Sequence, residues 1–60
     1  MFIKLTFVGD TDTYVNISHI TRLYKAEVGT HICFHGDDYI VVKETPDEIY
    51  NRIQKYRGKL

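Results

Sequence analysis

The chain has 60 residues, with eight Lys and Arg balanced by eight Asp and Glu, so no global field draws in nucleic acid or an anionic membrane. A chain this short forms one domain and buries only about 60% of the surface that its unfolded form exposes. Its single cysteine, Cys33, excludes an internal disulfide and a zinc site built on clustered thiols.

A core of this size rarely supplies more than about 3–5 kcal/mol, so self-association into a homo-oligomer is the expected added support. The lone thiol fits a reducing compartment. No apolar run approaches the roughly 20 residues of a membrane span. Met1 to Lys4 alternates like a strand and lacks the basic start and apolar middle of a signal peptide. The expected location is cytoplasmic.

The first strand is predicted over 2–8, with Ile3, Leu5 and Phe7 on one face and Lys4 and Thr6 on the other. Phe2 and Val8 break the alternation and put apolar surface on the second face. Gly9-Asp10-Thr11-Asp12 is a turn cluster. A second strand over 13–17 carries Val15 and Ile17 on one side, Tyr14 and Asn16 on the other. Ser18 and His19 interrupt the apolar rhythm and predict a tight bend. The third strand, 20–26, alternates Ile20, Arg22 and Tyr24 with Thr21, Leu23 and Lys25.

Glu27-Val28-Gly29 turns the chain into a fourth strand over 30–34. There Ile32 and Phe34 face the core, and His31, Cys33 and His35 share the opposite face. Gly36-Asp37-Asp38 makes another hairpin turn. The fifth strand, 39–43, is apolar on both faces, which suits a central strand or one covered on both sides. Connections of two to four residues force antiparallel neighbours.

The helix is predicted over 46–57. Thr45 is its N-cap and Glu48 the third helical residue, the spacing of a capping box. Pro46 suits the first helical position, where its missing N–H costs nothing. Asp47 and Glu48 lie at the positive end of the helix dipole, and Arg52, Lys55 and Arg57 toward the negative end. Ile49 and Ile53, flanked by Tyr50 and Tyr56, form the apolar stripe, and Gly58 is placed to end the helix. The fold class is therefore mainly β within α+β: an antiparallel meander or small barrel-like sheet of four or five strands, closed by one C-terminal amphipathic helix.

Chemistry is sparse. His31, Cys33 and His35 would need a fourth ligand for a structural zinc ion, so no metal is assigned to them. Catalysis by a Cys–His pair would need a pocket and a lowered thiol pKa. Asp37 and Asp38, adjacent in a turn, point apart. No phosphate-cradling glycine loop, nucleophile elbow or acid–base pair stands out, so no catalytic residue, cofactor or enzymatic activity is expected. The charge is uneven, however: residues 1–42 sum to −2, and residues 49–60 carry Arg52, Lys55, Arg57 and Lys59 with no acid. That basic end complements the helix dipole or meets an acidic partner or an RNA backbone. The candidate interaction surface is Tyr39, Tyr50, Arg52, Lys55, Tyr56 and Arg57, because tyrosine anchors protein interfaces and stacks on bases.

Several short motifs run together across the chain: Ile3-Lys4-Leu5-Thr6, Val15-Asn16, Ile20, Thr30 and Ile32, Gly36, Tyr39, Val42-Lys43-Glu44-Thr45 with Glu48-Ile49, then Ile53 and Tyr56-Arg57. In this the chain resembles the FlbD/SwrD type of small flagellar protein. It departs at Gly9-Asp10-Thr11-Asp12, where an Asn-Gly turn is usual, and at Lys25-Ala26-Glu27, where a Pro-Asp pair is common. The resemblance implies no catalytic site and a role in flagellar motility, or its regulation, through protein contacts. A local resemblance to the carbon-storage-regulator type of RNA-binding repressor covers Glu48 to Gln54. Here Pro46 stands where that family's RNA-contacting arginine is expected, and Thr6-Phe7 replaces its Thr-Arg.

The expected function is thus a non-enzymatic interaction or regulatory protein. The alternatives are a small RNA-binding post-transcriptional regulator and a phage- or plasmid-encoded modulator of a host protein. An RNA binder would align its cations with exposed tyrosines on one surface, and an interaction protein would expose an apolar patch.

Overall fold

A computed structural model describes residues 1–58; Lys59 and Leu60, and with them part of the basic end, lie outside the described residues. The element order is β1 (Phe2–Thr6), β2 (Asp12–Asn16), a 3₁₀ turn (Ile17–His19), β3 (Ile20–Lys25), β4 (Thr30–Phe34), β5 (Tyr39–Val42) and α1 (Pro46–Arg57). All five strands and the helix of the sequence reading are present. The meander is divided, with β1 and β2 pairing as one antiparallel hairpin and β3-β4-β5 as a three-stranded antiparallel sheet.

The seam between them lies where β1 runs past β5. Phe7 bridges Val42, the Lys43 N–H donates to the Thr6 carbonyl at 2.8 Å, and the Val8 N–H reaches the Val41 carbonyl at 3.4 Å. Among the described residues the two sheets touch edge to edge only at this seam. Within its own sheet β5 is therefore the edge strand beside β4, and not the central strand that is one of the two placements its apolar faces suggested.

Period-2 patterning decides which residues enter the bend. Ile3 and Leu5 from β1, Val15 from β2, Ile32 from β4, Val42 from β5 and Ile49 from α1 form the buried cluster. Ile53, one turn beyond Ile49, packs against it and completes the helix stripe. Ile20 differs from the simple alternation. A bulge between Ile20 and Arg22 lets Ile20 pair with Phe34 and join the core, while Arg22 and Tyr24 stay on the outer face. One extra residue, Thr21, shifts the phase; its hydroxyl donates to the Cys33 carbonyl.

The tight turns follow local chemistry. The Asn16 side-chain carbonyl accepts from the Ser18 N–H and caps the 3₁₀ turn. Gly29, in the β3–β4 turn, has φ +75°, and a Cβ there would lie 1.8 Å from the Val42 carbonyl oxygen at the end of β5, so only glycine fits. At the helix start, Thr45 Oγ1 accepts from the Glu48 N–H at 3.1 Å, and Pro46 occupies the first turn. Half of the expected capping box is formed: among the described residues no bond returns from the Glu48 carboxylate to Thr45. Gly58 closes the helix in right-handed geometry, its N–H donating to the Gln54 carbonyl at 2.9 Å, rather than by a left-handed turn.

Candidate functional site

The helix is anchored at one residue that sequence periodicity does not single out. Glu44 lies between β5 and the cap, only 9% exposed. β5 leaves β1 near Thr6, so the edge of β1 that faces away from β2 has no strand partner from there back to Phe2 among the described residues. Side chains take over the ladder. The Glu44 carboxylate accepts the Thr6 N–H at 3.0 Å and the Thr6 hydroxyl at 3.1 Å. One guanidinium nitrogen of Arg52 donates to the Lys4 carbonyl at 2.8 Å and meets the same carboxylate at 3.3 Å. The Glu44 backbone is held as well, its carbonyl accepting from the buried Thr30 hydroxyl at 2.6 Å.

Burial alone would raise the Glu44 carboxyl. The Thr6 N–H, Glu44's own N–H, the Thr6 hydroxyl and the Arg52 charge outweigh that burial and hold it below its ordinary value. Arg52 is therefore tied into the architecture and keeps only part of its cationic head free.

This junction forms the floor of an open groove of about 650 Å³ between the outer face of the β1-β2 hairpin and the helix. Phe2, Lys4 and Thr6 stand on one face of β1, opposite to Ile3 and Leu5. Lys4 pairs across the ladder with Tyr14, and Thr6 with Asp12. The helix contributes Arg52, Lys55 and Tyr56 to the same groove. Three rings line it, and all are accessible: Phe2 is 55% exposed, Tyr14 66% and Tyr56 41%. Its charges are largely matched within the chain. Lys4 meets Asp12 at 3.4 Å and Arg52 meets Glu44; Lys55 has no ionic partner among the described residues.

The interaction surface read from sequence is thus divided. Arg52, Lys55 and Tyr56 come together in the groove. Tyr50 and Arg57 are exposed on the helix outside it, and Tyr39 stands on the other sheet. Missing from that reading were Phe2, Lys4 and Tyr14. Their signal was Phe2, an apolar residue on the polar face of a strand, with a tyrosine on the matching face of the next strand.

Tyr39 belongs to a second surface, the outer face of β3-β4-β5. There Tyr24 stacks on His31 with centroids 4.8 Å apart, and His31 meets Tyr39 at 4.4 Å. The Arg22 guanidinium caps the row, 5.6 Å from the Tyr24 ring centre. His31 is spent in this ring ladder, with half-buried Cys33 beside it. His35 lies past the end of β4, around a shallow dip with His19, Phe34 and Asp38. The three residues His31, Cys33 and His35 are therefore not gathered, and among the described residues no group of three His, Cys, Asp or Glu is placed to hold a metal ion. No helix there is long and apolar enough to cross a membrane.

Comparison with known proteins adds one finding. No curated protein and no solved structure matches the chain. The model of one family, FlbD, described as flagellar and swarming motility proteins, matches residues 2–60. That match spans both sheets, the Glu44 junction and the groove-lining helix, so the chain belongs to the FlbD family of flagellar and swarming motility proteins.

Proposed function

We propose that this chain serves flagellar or swarming motility as a non-enzymatic docking protein, and that the groove between the β1-β2 hairpin and the helix is where it holds its protein partner. One observation carries the reading: Phe2, Tyr14 and Tyr56 are all exposed around a single groove that the hydrogen-bonded Glu44 junction also lines. Large rings left in water around a concavity suit a protein contact, because each buries much area at little cost in side-chain entropy. The structural charges at the floor serve the fold, since Glu44 and Arg52 satisfy backbone groups of β1.

RNA binding ranks second. Cations and aromatic rings do share the groove, as that reading requires. However, Lys4 and Arg52 are neutralised by Asp12 and Glu44, which leaves too few free cations there for the several phosphate contacts that give RNA and DNA binding its strength.

The test is complementation in the native host. With the chain deleted, wild type and a Tyr24→Ala/Tyr39→Ala variant are expected to restore swimming or swarming. A Tyr14→Ala/Tyr56→Ala variant, expressed and folded equally well, is expected not to. Full motility from the Tyr14/Tyr56 variant would remove the groove from the mechanism.

A further inference from the structure

The chemistry of the groove narrows what enters it. Resting on the docking reading above, we infer that the occupant is an acidic protein segment carrying an apolar anchor residue, rather than a neutral or basic one. The argument is charge complementarity. Of the five ionisable side chains that line the groove other than tyrosine, four are matched in two pairs, Lys4 with Asp12 and Arg52 with Glu44. The fifth, Lys55, is exposed on the helix and meets no carboxylate among the described residues. It stands one residue before Tyr56, so the unmatched cation borders the apolar wall.

A partner side chain inserted between Phe2, Tyr14 and Tyr56 would displace water from three half-open rings. A carboxylate flanking it would complete the Lys55 ammonium. A basic segment would instead bring a second positive charge to a groove that is already net positive, with the fixed acids Asp12 and Glu44 satisfied from within. Glu44 in particular cannot turn outward to receive a cation, because its two oxygens are held by Thr6 and Arg52.

The experiment uses the full-length protein, isotopically labelled, with backbone amide shifts followed by NMR. The probes are three synthetic peptides sharing one Leu-Phe anchor, flanked by glutamates, by glutamines or by lysines. The glutamate peptide is expected to move the amides of Phe2, Lys4, Tyr14, Lys55 and Tyr56, and to bind more tightly than the other two. Lys55→Glu should weaken it about ten-fold, Lys55→Gln about three-fold, as expected for one surface ion pair lost or reversed, and added salt should shrink both differences.

Equal binding of all three peptides, tighter binding of the lysine peptide, or shifts confined to the Tyr24–His31–Tyr39 face would overturn the inference. So would groove shifts produced by poly(U) and by none of the peptides, which would put RNA there. The motility assay separates the two claims. If the Tyr14/Tyr56 variant loses motility while the peptides show no charge preference, the groove stands as the docking site and the acidic partner falls.

Discussion

Removing the Glu44 carboxylate gives the most direct test of how this small fold is held together. In Glu44→Ala the Thr6 N–H and hydroxyl lose their acceptor, and Arg52 loses its counter-charge. A hydrogen bond to a charged group contributes about 1.5–3 kcal/mol net. The two Thr6 bonds share one acceptor group, so they do not simply add. The Arg52 side chain is 44% exposed, so its pairing counts as a surface interaction of about 0–1 kcal/mol. The expected loss is about 3 kcal/mol, against a total stability of roughly 3–9 kcal/mol for a domain of this length.

Urea unfolding at neutral pH, with Tm from thermal melts, reads this directly. Tm should fall by about 12 °C or more. Glu44→Gln, which keeps an acceptor oxygen but not the charge, should lose about 1–2 kcal/mol. The sign of the pH dependence follows from the carboxyl's lowered position. Its folded pKa lies below the ordinary 4.5, so its contribution is complete above that value and is lost as pH falls through the folded one. The gap between wild type and Glu44→Gln should therefore be widest near neutrality and narrow as pH falls below the ordinary carboxyl value and through the lowered folded one. A Glu44→Ala loss under about 1 kcal/mol, or a gap that does not change with pH, would refute the reasoning.

Three further outcomes are expected. Gly29→Ala should cost about 3 kcal/mol or more, because a left-handed backbone conformation and a collision with the Val42 carbonyl act together. Gly36→Ala, with a similar φ but open space around it, should cost only about 1–2 kcal/mol; equal costs in urea unfolding would argue against the collision. Thr45→Ala should cost about 1 kcal/mol through loss of the N-cap bond, and an unchanged Tm would count against that helix start. His31→Ala removes both ring contacts of the ladder and should cost about 1–2 kcal/mol by thermal melt, whereas a neutral effect would mean that the rings are neighbours without mutual stabilisation.

Local signals located nearly every element. The alternation of Ile3 and Leu5, the turn residues from Gly9 to Asp12 and from Gly36 to Asp38, and the Thr45-Pro46 start of the helix each act within a few residues of themselves, so each is legible in the chain. The Ile20 bulge was not, because period-2 counting assumes that every residue advances the strand equally, and only pairing against Phe34 and Cys33 reveals the extra one. Of the residues that line the groove, the helix side, Arg52, Lys55 and Tyr56, was picked out by the basic, tyrosine-bearing end of the chain. The hairpin half, Phe2, Lys4 and Tyr14, was not, since it depends on which strand faces the helix.

By itself, then, the sequence determined the strands, the helix and its N-cap through patterns repeated over two to four residues, while the family rests on a match that runs over residues 2–60. The tertiary structure alone decided that the meander divides where β1 and β5 part. It also decided that Glu44 and Arg52 serve as ladder partners to Thr6 and Lys4, and that the groove opens beside them. The physical reason is the same in each case. A backbone N–H or carbonyl left without a strand partner must find another acceptor or donor, and which side chain can reach it depends on residues 38 and 48 positions away in the chain.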